Sequence, residues 1–194
     1  LSFKIYKNEI FGVFGKSGSG KSTLVDIISG LIIPQKGIIK INDDHEIQKN
    51  ISFWQNSIGY VTQDPVLIND TLKNNICLGE DVINEEKYFK AINISGVDQL
   101  LKNLPNRADT LVGELGSKFS GGEKQMIAIA RAIYREPKIL IFDEATSAID
   151  KESEHKILEK IKKLEKDNLI IIISHDEKLK SICKKLIVLN ESNR

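Results

Sequence analysis

Gly15-Lys16-Ser17-Gly18-Ser19-Gly20-Lys21-Ser22 fits the pattern G-x-x-x-x-G-K-[ST], a phosphate-binding P-loop. The apolar run from Ile10 to Phe14 precedes it and reads as a buried strand. Ser22-Thr23-Leu24-Val25-Asp26-Ile27-Ile28 follows it and reads as a helix. This strand–loop–helix setting is what the motif requires. Glycines let the backbone wrap closely around phosphate oxygens. The N–H groups of the loop and of the helix start have no helical partner, so they point at an anion. Lys21 adds a point charge for the outer phosphates, and the Ser22 hydroxyl suits Mg2+.

Composition narrows the setting. A chain of 194 residues, 41% apolar and 28% charged, is long enough for one α/β core carrying an inserted subdomain. A formal charge of +1 gives no case for bulk attraction to nucleic acid, so no nucleic-acid partner is expected. Cys77 and Cys183 are isolated, without metal spacing, and read as reduced core cysteines of a cytosolic compartment. His45, His155 and His175 are too scattered for a metal cluster. No apolar run approaches the ~20 residues needed to span a bilayer. The chain starts at Leu1-Ser2-Phe3, without Met and within a strand-like pattern, and stops soon after Leu186–Leu189. The expectation is a piece of a longer polypeptide.

Short apolar runs alternate with helical patterns. Ile38–Ile41, Ile58–Thr62, Lys138–Phe142, Leu169–Ile173 and Leu186–Leu189 read as further strands. Ile170-Ile171-Ile172-Ile173 is apolar on both faces, as a parallel strand covered on two sides must be. Between Pro65 and Arg135 the pattern turns helical, with helices expected over Asn84–Ile94, Asp98–Leu104 and Glu123–Tyr134. Lys151–Leu164 is amphipathic, with Ile157, Leu158, Ile161 and Leu164 on one face. The fold class expected is α/β: a mostly parallel sheet of the P-loop NTPase (RecA-like) kind, interrupted by an α-helical insert. The expected division is a core of 1–64 and 136–194 and a helical subdomain of 65–135.

Two further stretches carry chemistry. Lys138-Ile139-Leu140-Ile141-Phe142-Asp143-Glu144 is an apolar strand ending in two carboxylates. It delivers Asp143 to the strand's C-terminal edge, where open α/β sheets bind ligands and where P-loop enzymes place the Asp that holds Mg2+. Glu144, one residue on, is positioned to polarise an attacking water. Ser120-Gly121-Gly122-Glu123 reads as a capping box, with Ser120 at the N-cap and Glu123 at the third helical position. Two glycines weaken a helix start. They make sense where something approaches that backbone closely, and a helix N-terminus without side chains is an anion site.

The order P-loop, glutamine, Ser-Gly-Gly, Asp-Glu, His resembles the ATP-binding domain of ABC transporters over almost the whole chain. Phe119-Ser120-Gly121-Gly122-Glu123 is similar to the family's L-S-G-G-Q signature, Gln63 to the Q-loop glutamine, Ser147-Ala148-Ile149-Asp150 to the D-loop and His175 to the switch histidine. Val61-Thr62-Gln63-Asp64-Pro65-Val66-Leu67 and Thr110-Leu111-Val112-Gly113-Glu114-Leu115-Gly116 resemble two exporter patterns, the second being the x-loop. In exporters these segments touch the membrane domain. Ser52-Phe53-Trp54-Gln55 resembles lipid-linked oligosaccharide flippases more faintly. The sequence departs from the family at Glu123, where Gln is usual, at Lys124-Gln125-Met126 and at Asp176. The adenine-stacking aromatic is expected upstream of Leu1, since Tyr6 lies too close to the P-loop.

The resemblance implies ATP contacts from Gly15, Lys16, Ser17, Gly18, Ser19, Gly20, Lys21, Ser22, Thr23 and Gln63. It implies Mg2+ contacts from Ser22, Gln63 and Asp143, and catalysis by Glu144 as base with His175 sensing the γ-phosphate. Ser120, Gly121, Gly122 and Glu123 would reach the ATP of a second such domain, with Asp150 at the contact between the two. The implied setting is an ATP-hydrolysing exporter on the cytoplasmic side of a cell membrane, its transmembrane domain in the same polypeptide. The transported molecule would be a lipid, lipid-linked oligosaccharide, peptide or drug. The competing expectation is a soluble ABC-type ATPase acting on nucleic acid or ribosomes. That reading predicts a long coiled-coil insertion or a tandem second domain.

Overall fold

The computed structural model describes residues 1–42 and 45–190. Its main sheet has five strands: β1 (Ile10–Gly15), β4 (Ile58–Val61), β5 (Ile139–Asp143), β6 (Leu169–Ser174) and β7 (Lys185–Leu189). Their order is β4-β5-β6-β1-β7, and every neighbouring pair is parallel. The central position of β6 explains its unbroken isoleucines. Ile170 and Ile172 face one hydrophobic cluster together with Ile10, Leu140 and Phe142. Ile171 and Ile173 face the other with Phe11, Val13, Ile139 and Ile141. Side chains alternate across a strand, so both faces must be apolar when both are covered. Burying each of these side chains contributes about 1.5–3 kcal/mol.

Helix α1 (Lys21–Ile28) covers the second face through Val25 and Ile28. The cluster on the first face takes in α6 (Gly121–Tyr134), which packs on β4, and α3 (Leu72–Ile76), α4 (Glu85–Ser95), α5 (Val97–Lys102) and α7 (Lys151–Leu164), through Ile127, Leu72, Tyr88, Val97 and Ile157. Thr71 caps α3, Asn84 caps α4, Ser120 caps α6 and Asp150 caps α7, each accepting a backbone N–H with its side chain. Helix α7 spans the expected residues and buries Ile157 and Ile161.

Three stretches differ from expectation. Residues 1–9 form no strand; instead Phe3 stacks on Phe11, with ring centroids 5.4 Å apart. The expected strand Ile38–Ile41 shrinks to β2 (Lys40–Ile41), paired antiparallel with β3 (His45–Glu46). Helix α2 (Ile51–Asn56) has no expected counterpart. It is anchored from a distance, because Trp54 Nε1 donates to the Ile28 carbonyl at 2.7 Å. Among the described residues no helix is long and apolar enough to cross a membrane.

Parallel strands bring their C-terminal ends to one edge. Gly15 ends β1, Asp143 ends β5 and Ser174 ends β6, with β6 lying between the other two. Gln63 follows the end of β4, beside β5. Residues far apart in sequence thus meet at the edge where open α/β sheets bind ligands.

Candidate functional site

The loop from Gly15 to Gly20 turns from β1 into α1. Gly20 is the N-cap residue of α1, with φ at 93°, and no side chain caps that helix. A residue with a Cβ is strained there, and the bare cap leaves the first N–H groups facing outward. Lys21 is 6% exposed. Its Nζ donates to the carbonyls of Gly15 at 2.9 Å and Lys16 at 3.1 Å and stands 3.9 Å from Glu144 Oε1. A buried ammonium held by neutral carbonyls gains from an anion. Ser19 Oγ is buried without a hydrogen-bond partner among the described residues and lies against Gly15 of the same loop. Ser22 and Thr23 are exposed on the first turn of α1.

Across the edge, Asp143 is 7% exposed and Tyr60 donates its hydroxyl to Asp143 Oδ2 at 3.2 Å. Burial pushes the Asp143 carboxyl above its usual range, and the neighbouring Glu144 adds to this, while Tyr60 and Lys21 oppose it. Burial, then the charge of Asp143, holds the Tyr60 phenol well above its ordinary value, so it stays a donor. Glu144 has φ at 48°, a left-handed backbone that costs a non-glycine residue about 1–3 kcal/mol. Its N–H donates to Ile173 on β6 at 3.0 Å, and its carboxylate lies 3.1 Å from His175 Nδ1. The His175 side chain is 63% exposed and that of Glu144 only 14%, so the imidazole is the outer partner.

The residues present fit a divalent cation. Two adjacent carboxylates, one of them destabilised by burial, gain from a positive charge. The Ser22 hydroxyl, Asp143 carboxylate and Gln63 amide supply the oxygen donors Mg2+ prefers.

The segment Ser120–Glu123 lies elsewhere. Its capping box is formed: Glu123 Oε2 accepts from Ser120 N at 2.7 Å and Ser120 Oγ at 2.8 Å, and Glu123 N donates to Ser120 Oγ at 3.3 Å. Gly122 has a reason inside the chain, since a Cβ there would stand 2.6 Å from the Ala148 carbonyl oxygen. Ser120, Gly122, Glu123 and Asp150 line a hollow of about 770 Å3, and no residue of the P-loop lines it. Asp150 accepts from Ser153 N at 3.0 Å, and this hydrogen bond holds its carboxyl below the ordinary value. The structure thus brings Gly15–Thr23, Gln63, Asp143, Glu144 and His175 to one edge and sets Ser120–Glu123 and Asp150 on another surface.

Two site residues have no counterpart in the sequence reading. Tyr60 sits on β4, where an aromatic residue in an apolar strand looks like core. Gln125 is 2% exposed on α6, and its amide reaches two loops of the site, the one after β4 at Gln63 and the one after β5 at Glu144 and Ala148. A polar residue on the buried face of an amphipathic helix was the available signal.

Fold and site together define a P-loop nucleoside triphosphatase. The family model described as "ABC transporter" matches residues 1–147. The chain is 42% identical over 176 residues to the leukotoxin translocation ATP-binding protein LktB of Mannheimia glucosida, covering 90% of this chain and 25% of that protein. It is 42% identical to the alpha-hemolysin translocation ATP-binding protein HlyB of Escherichia coli, with the same coverage. It is 39% identical to human ATP-binding cassette sub-family B member 5, covering 90% of this chain and 14% of that protein. A solved structure of a bacterial Atm1-family ABC exporter with ATP bound superposes with a TM-score of 0.92, at 35% identity, over 98% of this chain and 33% of that one. The chain belongs to the ABC transporter family. Two of these relatives are translocation ATP-binding proteins, the solved structure is an exporter with ATP bound, and this chain spans a quarter or less of the length of the curated relatives.

Proposed function

We propose that this chain is one half of an ATP-driven clamp that powers an exporter. The observation that carries the reading is the separation just described. The groups suited to bind and cleave a triphosphate stand at the sheet edge, while the helix start Ser120–Glu123 lines a hollow to which no P-loop residue contributes. A second copy facing this one places its Ser120–Gly122 over the phosphates held by Gly15–Ser22, with Asp150 at the contact. The core of 1–64 and 136–194 then grips the nucleotide, and the helical part, 65–135, carries the closing surface.

The chain's own residues divide the work. Backbone N–H groups of Gly15–Thr23 bind phosphate oxygens, and Lys21 exchanges its two carbonyl partners for them. Ser22, Asp143 and Gln63 would hold Mg2+, which would supply positive charge to offset that of the phosphates. Glu144 takes the proton of the attacking water. His175, hydrogen-bonded to Glu144, orients that carboxylate and contacts the terminal phosphate. Closure keyed to the terminal phosphate is a switch of the order-and-rotation kind.

The membrane domain is proposed to dock on the exposed apolar side chains of the Q-loop and x-loop, Val66, Ile68, Leu111 and Leu115. It belongs to the same polypeptide and places this chain at the cytoplasmic face of the membrane. That domain selects the cargo, whether lipid, lipid-linked oligosaccharide, peptide or drug. Changing Glu144→Gln in the full-length protein tests the reading. ATP turnover should fall about 10²–10⁴-fold with ATP binding retained; unchanged turnover contradicts it.

A further inference from the structure

Gln125 lies two residues past the signature segment, at a position of α6 that is 2% exposed. Its Oε1 accepts the N–H of Ala148 at 3.0 Å. Its Nε2 lies 3.2 Å from the carbonyl of Gln63, 3.3 Å from the carbonyl of Glu144 and 3.3 Å from Ser147 Oγ. One buried side chain therefore holds the backbone at Gln63, at Glu144 and just before Asp150. We propose that Gln125 is a positioning residue for ATP hydrolysis, fastening the loop of Gln63 and the loop that runs from Glu144 to Asp150 to the signature helix. This rests on the roles given above to Gln63, Glu144 and Asp150.

Three features carry the inference further than packing does. A buried helix position with a merely structural role takes an apolar residue at lower cost, because an amide there must satisfy every polar atom. Glu144 is held in a left-handed backbone, a conformation that persists only where its surroundings over-determine it. Its N–H is fixed by Ile173 and its carbonyl by Ser147 N and by Gln125, so the amide is one of the three restraints named. Finally, an amide has two N–H donors, and here three acceptors stand within reach. The pair of acceptors that it serves can change while the fold stays intact. Gln125 can thus transmit the arrangement of the signature helix to the carboxylate that activates water.

The test is steady-state ATPase kinetics of the full-length protein, with ATP binding measured by a fluorescent ATP analogue. Gln125→Met keeps the length and removes all polar contacts; kcat should fall about 10–100-fold, while KM and analogue affinity change less than about 3-fold. Gln125→Glu keeps an acceptor for Ala148 and sets a carboxylate oxygen against the Gln63 and Glu144 carbonyls. Its kcat should fall at least as far as that of Gln125→Met, with KM and analogue affinity again changing less than about 3-fold. A kcat in Gln125→Met equal to that of the unaltered protein overturns the proposal. So does a kcat in Gln125→Glu equal to that of the unaltered protein. Glu144→Gln, assayed alongside, separates the causes: if that variant is inactive and Gln125→Met is fully active, only the role of Gln125 fails.

Discussion

The sheet edge and the start of α6 are the two regions proposed to meet phosphate, and they are built differently. At the edge, Lys21 and Asp143 are each less than a tenth exposed. The lysine rests on two carbonyls, the Asp143 carboxyl is pushed up by burial, and the backbone of Glu144 is left-handed. At the start of α6, Ser120 is exposed, and its hydroxyl and N–H both reach Glu123. The first region stores unfavourable charge burial and strain that a nucleotide with its cation relieves. The second is satisfied within its own helix and contributes only when another surface comes to it. A binding half is thus held poised, and a closing half is held neutral.

Variants at the edge should therefore trade activity for stability, and variants at α6 should not. The largest effect on ATP binding is expected for Lys21→Met. Removing a charge-assisted contact of about 1.5–3 kcal/mol should weaken ATP binding roughly 10–150-fold, read by titration calorimetry. The nucleotide-free protein should lose no stability, since the change also removes a buried charge. Next is Asp143→Asn, which should abolish Mg2+-dependent turnover yet raise the melting temperature of the nucleotide-free domain by a few degrees. About 1 kcal/mol corresponds to about 2–4 °C at this size. The pH dependence has a definite sign. Asp143 binds its proton more tightly folded than unfolded, so its contribution favours folding at low pH. That contribution is lost as pH rises from the ordinary carboxylate value through the raised one. Asp143→Asn should remove that slope, as seen by thermal unfolding across pH 4–7.

At the other region the expected sign reverses. Ser120→Ala deletes the cap of α6 and should destabilise the protein by about 0.5–2 kcal/mol in chemical denaturation. The smallest effect is expected for Glu123→Gln. The amide oxygen keeps an acceptor for Ser120 N, so stability should move by less than about 0.5 kcal/mol, as surface changes generally do. A large loss there would show that the negative charge itself holds the helix start.

Much of this contrast was legible in the sequence, because its parts are local. The P-loop pattern, the apolar strand ending in Asp143 and Glu144, the capping box at Ser120 and the apolar run before His175 each sit within one short stretch. Four isoleucines in a row specify a strand covered on both faces, and β6 lies at the centre of the sheet. What escaped was set at long range. Helix α2 has six residues and is tied down by Trp54 reaching back to Ile28. The bond of Tyr60 to Asp143 depends on β4 lying beside β5, a pairing across nearly eighty residues. The glycine at 122 read as room for a ligand, and part of its reason is the Ala148 carbonyl of the same chain.

The central claim is that each chain supplies half of a site, and placing two lesions in different copies tests it most directly. Lys21→Met disables the binding half. Ser120→Asp keeps an effective helix cap and sets a negative charge against phosphate. Both are introduced into the Glu144→Gln background of the full-length protein, and trapped ATP is counted per pair of chains. With one lesion in each copy, one complete site survives and one ATP should be retained; with both in the same copy, none should be. Retention of one ATP only when both lesions share a copy would mean that each chain closes its own site, and would contradict the account.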